Sequence, residues 1–426
     1  MRYDPINPSL FKYNRVRLFN KMEDNSMAIF HSNDQMPKNA DQLMKFKQNS
    51  DLFHLSGIDQ EDTILICVKK NNSLQEILFI KETNEKIKIW EGEKLTRLEA
   101  QKKSNIDLVF WNSEFKKQLK THLNNLTIVY LNSNDHPRAN IVVETRDERF
   151  KKWITYNYPG KNYKKCSEIL YGIRSIKQPD EIALIKKACD ITHLGVKRVL
   201  KTLKPGIYEY EIEAEIIHEF LMSRASGFAY DPIIASGKNA CILHYGANNK
   251  ICKDGDVVLM DFGAEYANYA SDLTRCFPVN GRFSKRQKAV YNSVLSVMKE
   301  AASLLRPGVY LADYEKSVGC LMERELVGLG LLSMREISGN QKIPAYKKYY
   351  MHGTSHHLGL DVHDVSDKNL PLETGMVLTC EPGIYIPEEG LGIRLENDIL
   401  IGEKDNVDLM KNIPIEASEI EDLLNI

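Results

Sequence analysis

Two pairs of carboxylates in the C-terminal half of the chain have the types and spacing to do chemistry together. Asp261 closes the apolar run Val257-Val258-Leu259-Met260, and Asp272 follows eleven residues later. That spacing fits a hairpin that returns both side chains to one end of a sheet. Glu381 closes the run Met376-Val377-Leu378-Thr379-Cys380, and Glu396 lies fifteen residues on, across a loop rich in glycine and proline. Four carboxylates in one poorly hydrated pocket repel strongly unless positive charge is supplied, and divalent cations are the simplest supply. His356 falls between the pairs, in the run from His352 to Asp364. Oxygen donors with a single imidazole suit hard or borderline ions such as manganese or cobalt better than a thiolate-type zinc site does. Two such ions, about 3.5–4 Å apart, can share a bridging water and ionise it near neutral pH. Hydrolysis is therefore the expected chemistry.

The elements that must position these groups form an internal repeat. Leu203-Lys204-Pro205-Gly206-Ile207-Tyr208 precedes a helical stretch over 211–221, and Leu305-Arg306-Pro307-Gly308-Val309-Tyr310 precedes another over 313–325. Downstream of each comes a glycine turn and an apolar strand ending in a carboxylate, Gly255 to Asp261 and Gly375 to Glu381. The repeat predicts two αβ units facing each other across a pseudo-twofold axis, with the acidic strand ends converging on it. Upstream, Pro179 stands at a first helical position, followed by Ile182, Ile185, Ala188 and Cys189 at helical spacing. A boundary just before that helix divides the chain into domains 1–172 and 173–426. In the first, Thr63 to Val68 and Ile77 to Ile80 read as adjacent strands, joined by a turn at Asn71-Asn72-Ser73. Stretches 95–103 and 114–123 have helical composition. The fold class is α/β (α+β), a mixed N-terminal domain followed by the repeated catalytic one.

Composition narrows the partners. A chain of 426 residues exceeds what one core usually serves. Lysine and arginine (57) nearly balance aspartate and glutamate (58), so no global field draws it to nucleic acid or an anionic membrane. No apolar run approaches the roughly 20 residues of a spanning helix, and the opening Met1-Arg2-Tyr3-Asp4-Pro5 lacks the apolar core of a signal peptide. The eight cysteines are scattered without a CxxC pair, which favours free thiols in a reducing, cytoplasmic setting.

The order Asp261, Asp272, His356, Glu381, Glu396 resembles the five-ligand set of the pita-bread metallopeptidases, which include methionine aminopeptidase, prolidase and aminopeptidase P. The strings from Tyr230 to Tyr245 and Glu381-Pro382-Gly383-Ile384-Tyr385 resemble the proline-specific branch. So do Arg15-Val16-Arg17-Leu18, Phe46 to Phe53 and Leu55-Ser56-Gly57 in the N-terminal domain, which resemble aminopeptidase P. The resemblance implies removal of an N-terminal residue from peptides with proline second, using two divalent ions, Mn2+ with Co2+ or Zn2+ as alternatives. By it, Asp261 holds one ion, His356 and Glu381 the other, and Asp272 and Glu396 bridge. Glu381 also shuttles a proton to the leaving nitrogen. His244 and His363 bond the scissile carbonyl, His352 shapes the proline pocket, and Tyr385 and Arg394 form a network with Asp261. A homodimer or homotetramer is also implied, and Trp90 and Glu91 lie where oligomeric relatives approach a neighbouring site.

Taken singly, each residue has an ordinary explanation. A lone aspartate at a strand end is usually a turn or cap, and a lone histidine such as His244 is usually a satisfied structural group. Tyr385 is by default a packed aromatic, and Arg394 a paired or solvated charge. The ordered ensemble is what points to a metal-dependent hydrolase. His31, His122, His136, His193 and His218 lack such context and read as structural or exposed. Neighbours in a strand face opposite ways, and the residues alone do not choose between His356 and His357. The alternatives are a prolidase, with the same metal core, and a non-catalytic pita-bread binding module, whose known examples have lost the ligand set.

Overall fold

The computed structural model describes residues 3–339 and 342–426. Met1 and Arg2, part of the opening stretch read above as lacking a leader, lie outside the described residues, as do Asn340 and Gln341. Two compact units are present, Pro5–Arg174 and Ser175–Ile426, the latter joined by Tyr3 and Asp4.

The first unit is built on a mixed six-stranded sheet. Its strands are β1 (Ser26–His31), β2 (Ile64–Lys70), β3 (Ser73–Ile80), β4 (Leu108–Trp111), β5 (Ile128–Leu131) and β6 (Asn162–Lys165), in the order β4-β3-β2-β1-β5-β6. β2 and β3 pair antiparallel with Ile66 opposite Ile77. Asn71 and Asn72 turn the chain between them at φ 51° and 54°, a conformation that asparagine tolerates and that matches strand twist. Alternate residues feed two cores: Ala28, Phe30, Leu65 and Leu78 on one face, Met27, Ile29, Ile66 and Phe79 on the other. Burial on both faces explains why these strands read as continuous apolar runs. The helical stretches of the sequence appear as Arg97–Ser104, started by a Thr96–Glu99 capping box, and Phe115–Leu123.

The second unit carries the repeat. Its long helices are α1 (Pro179–Thr202), α2 (Glu209–Met222), α3 (Lys285–Leu304) and α4 (Leu311–Gly328). Its first half contains β7 (Ile233–Ser236), β8 (Val257–Asp261), β9 (Ala264–Tyr266), β10 (Tyr269–Ala270) and β11 (Thr274–Pro278). β7, β8 and β11 form one antiparallel sheet, with Asp261 opposite Thr274. The second half contains β12 (Val377–Cys380), β13 (Gly383–Ile386), β14 (Leu391–Arg394), β15 (Asn397–Leu400) and β16 (Val407–Asp408), with Cys380 opposite Asn397.

Each half thus inserts a two-stranded ribbon between a pair of antiparallel strands, β9–β10 within β8/β11 and β13–β14 within β12/β15. The sequence reading of 382–395 as a loop needs correction: its glycines and proline punctuate a hairpin. Gly390 takes the left-handed turn at φ 60°, and Ile384, Tyr385, Ile386 and Ile393 are all buried, so no alternation betrays the strands. The simple hairpin expected between Asp261 and Asp272 is likewise interrupted by β9–β10.

The halves meet at an isolated bridge between Thr274 and Glu396. Fully buried Arg275 fastens it, donating to the carbonyls of Thr274 (2.9 Å), Glu396 (2.8 Å) and Pro414 (2.9 Å) and to Asn397 Oδ1 (2.7 Å). The final segment packs: helix Ala417–Leu424 buries Ala417 and Ile420, and Ile413 is buried just before it.

Candidate active site

The strand ends converge as the repeat predicts. One donor atom each from Asp272, His356 and Glu396 lies within 4.8 Å of the others. His356 Nε2 stands 3.4 Å from Asp272 Oδ2 and 3.7 Å from Glu381 Oε1, so a third carboxyl borders the same space. Asp261 joins through shared partners. The Tyr230 hydroxyl stands within hydrogen-bond reach of both Asp261 Oδ1 (2.6 Å) and Asp272 Oδ1 and donates to one of them at a time, while Arg394 Nη2 donates to Asp261 Oδ2 (2.5 Å).

Arg394 is a three-way tie. Besides Asp261 it donates to the Tyr385 hydroxyl (2.8 Å) and to Thr274 Oγ1 (3.1 Å), and Thr274 in turn donates to Glu396 Oε2 (2.7 Å). Tyr385 reaches on to His352 Nε2 at 2.8 Å, and His352 Nδ1 lies 3.7 Å from Glu381 Oε2. A closed circuit of hydrogen bonds and short contacts therefore surrounds the carboxylates and fixes their rotamers. His363 packs edge-on against His356, ring centroids 4.4 Å apart. His244 occupies an exposed turn.

The adjacent histidines part company. His357 forms an isolated bridge with Leu378 and is buried, and its Nδ1 makes no hydrogen bond among the described residues. Burial and the nearby Lys177 ammonium push it down to about 3. His356 faces the carboxylates instead. Burial lowers its proton affinity, but the Asp272 hydrogen bond and the charges of Glu381 and Asp272 outweigh that and lift it to about 9.

Electrostatics define what this pocket lacks. Burial pushes Glu381 up to about 7, against the opposing pull of His356 and Arg394. Glu396 is raised well above the carboxylate range by burial and then by the charges of Asp272 and Glu381, and burial also raises Asp261 against the pull of Arg394. Four carboxylates face one guanidinium and one imidazole, so the cluster is short of positive charge. Carboxylate oxygens with one imidazole fit divalent cations of the hard to borderline kind, and among the described residues no cysteine belongs to the Asp272–His356–Glu396 cluster. Of the five residues read as ligands, Asp272, His356 and Glu396 stand close enough together to hold one ion.

Three groups at the site escaped the sequence reading. Tyr230 was visible only as the start of a resembling string, because its partners lie 31 and 42 residues away. Thr274 gained its role from the bridge to Glu396. Asp398 accepts from the Asp272 amide (3.1 Å) and the Cys189 thiol (3.4 Å), and burial raises it well above its usual range. Its signal was period-two spacing from Glu396, which places both on one strand face.

The chain is similar to known proteins along nearly its whole length. The family model for Metallopeptidase family M24 matches residues 183–403, and that for the aminopeptidase P N-terminal domain matches 11–130. An Xaa-Pro aminopeptidase of Haemophilus influenzae is 36% identical over 427 residues, and one of Escherichia coli is 35% identical over 430, each alignment covering 97% of both chains. The structure of Escherichia coli aminopeptidase P with the inhibitor Pro-Leu superposes with a TM-score of 0.88 at 33% identity, covering 99% of both chains.

Proposed function

Because the chain belongs to Metallopeptidase family M24, we propose that it is a metal-dependent Xaa-Pro aminopeptidase, hydrolysing the bond between an N-terminal residue and a following proline. The observation that carries this reading is the convergence of Asp272, His356 and Glu396 within 4.8 Å, bordered by Glu381 and Asp261. Prolidase is not favoured, since the Haemophilus influenzae and Escherichia coli relatives, matched over 97% of the chain, are Xaa-Pro aminopeptidases. A non-catalytic module is disfavoured by the intact set of five. The fold is the pseudo-twofold pita-bread fold of this family, preceded by the aminopeptidase P N-terminal domain.

We assign Asp261, Asp272, His356, Glu381 and Glu396 to two divalent cations, with manganese as the native pair. Such cations supply Lewis acidity and a means of ionising an attacking water at neutral pH. Glu381, which also borders His352 and His356, carries a proton from that water to the proline nitrogen. His244 and His363 donate to the scissile carbonyl oxygen as negative charge develops on it. His352 is held down to about 3 by burial and then by Arg394, so it serves as a neutral wall of the proline pocket, braced by Tyr385. Tyr385 and Arg394 keep Asp261 aimed at the centre. Proline needs such a pocket because its nitrogen carries no N–H for an enzyme to grip.

Cytoplasmic placement is supported by eight free cysteines, six of them buried. Among the described residues no helix is long and apolar enough to cross a membrane. A homo-oligomer is supported by helix Glu85–Glu91, which buries none of its residues and leaves Trp90 78% exposed.

The test is chelation followed by manganese add-back, assaying an Xaa-Pro dipeptide, an Xaa-Pro-Yaa tripeptide and a matched Xaa-Ala control by mass spectrometry. Metal-restored cleavage before proline in the tripeptide, with the alanine control intact, is expected. Cleavage of the dipeptide alone would assign a prolidase instead.

A further inference from the structure

Glu209, the first residue of α2, is fully buried and lies outside the carboxylate cluster. A buried carboxylate is costly unless its lone pairs are filled. Here they are filled by one segment of chain. Oε1 accepts from Ser236 N (2.8 Å), Ser236 Oγ (2.7 Å) and Asn239 Nδ2 (3.3 Å), and Oε2 accepts from Tyr245 OH (2.8 Å) and Lys250 N (2.9 Å). The Glu209 amide donates back to Lys250 O at 2.9 Å. All five donors fall within 236–250, on both sides of His244. A carboxylate needed only for helix stability has no reason to draw every donor from one loop.

The opposite side of the loop is gripped too. Ala240 O lies 2.3 Å from where a Cβ would stand on Gly392, so the loop backbone rests directly on β14, the strand that ends in Arg394. The second half uses a comparable brace: Glu315 on α4 accepts from Thr354 N (2.8 Å) and Oγ1 (3.1 Å), between His352 and His356.

We propose that Glu209 is a positioning residue, locking the 236–250 loop so that His244 is held at the scissile carbonyl. The inference rests on the assignment of His244 above. Displacing a reacting group by about 1 Å costs on the order of 10²-fold in rate, so the lock acts on turnover.

The experiment is a double-mutant cycle on the manganese-loaded enzyme with an Xaa-Pro-Yaa tripeptide, measuring kcat, KM and bound metal for Glu209→Gln, His244→Ala and their combination. Glu209→Gln is expected to lower kcat by about 10²-fold with little change in KM or metal content. In the His244→Ala background it should cost no more than about twofold, because the group it positions is gone. Multiplying losses in the combined variant, or loss of metal from Glu209→Gln, would overturn the inference. Tyr245→Phe removes one of the five hydrogen bonds and should lower kcat partway under the same non-additivity, which decides the matter if Glu209→Gln does not fold. Wild-type kcat in His244→Ala would instead overturn the reading of His244 itself.

Discussion

Replacing Tyr230 by phenylalanine removes one oxygen from the centre of the site and keeps the ring. That hydroxyl reaches Asp261 Oδ1 at 2.6 Å and also Asp272 Oδ1. Burial, then the charges of Asp261 and Asp272, push its proton affinity well up, so it stays a donor. One hydroxyl proton serves one acceptor at a time. The variant therefore loses one hydrogen bond to a charged group, about 1.5–3 kcal/mol. With the bond gone, two buried carboxylates lose the group that fixes their spacing, and the cost falls on cation binding. A tenfold change in affinity per 1.4 kcal/mol gives manganese binding weaker by about 10- to 150-fold. Competition against a chelating dye at fixed pH measures it, with circular dichroism confirming the fold. Unchanged or tighter binding would refute the reasoning, because the hydroxyl would then compete with the cation for carboxylate oxygens.

Other perturbations probe the frame. In the metal-free protein, Glu381 is raised by burial to about 7 from 4.5, and His356, despite burial, is raised by its Asp272 hydrogen bond to about 9 from 6.5. Both bind protons more tightly when folded, so their contributions are present at acid pH and lost as pH rises through 7 and then 9. Thermal melts should show lower stability at pH 9 than at pH 6, and manganese affinity should rise over the same range as those protons are displaced; a flat melting profile contradicts this. Gly392→Ala places a Cβ 2.3 Å from Ala240 O and must push the His244 loop away. A kcat loss on the order of 10²-fold with full metal content is expected, and kinetics near wild type would mean the loop tolerates the shift. Arg275→Met leaves the carbonyls of Thr274, Glu396 and Pro414 without this donor, at about 1–3 kcal/mol each. Denaturant unfolding should record a loss of about 3 kcal/mol or more, and a loss below about 1 kcal/mol would show that water or relaxation satisfies those groups.

Much of the architecture is local and therefore legible in the chain. Pro179 opens α1 where a missing N–H costs nothing, Asn71-Asn72 accepts the positive φ of a tight turn, and the apolar runs ending in Asp261 and Glu381 end as strands. The internal repeat already implied two acidic strand ends facing each other, and the need of four carboxylates for cations is a matter of residue type and Coulomb's law.

What remained hidden depends on contacts between distant segments. Residues 382–395 read as a loop because both faces of β13–β14 are buried and no alternation survives. His356 and His357 are equivalent as neighbours in a chain. Only the bridge from His357 to Leu378, which packs one ring into the core and turns the other toward Asp272, distinguishes them. Tyr230, Thr274, Asp398 and Glu209 acquire partners through the register of paired strands and the docking of a loop. The sequence by itself determined which groups are present, in what order, and which strands end in charge. Tertiary structure decided which side chains meet, because a hydrogen bond between residues a hundred positions apart is set by packing and register, and neither is encoded in any local window.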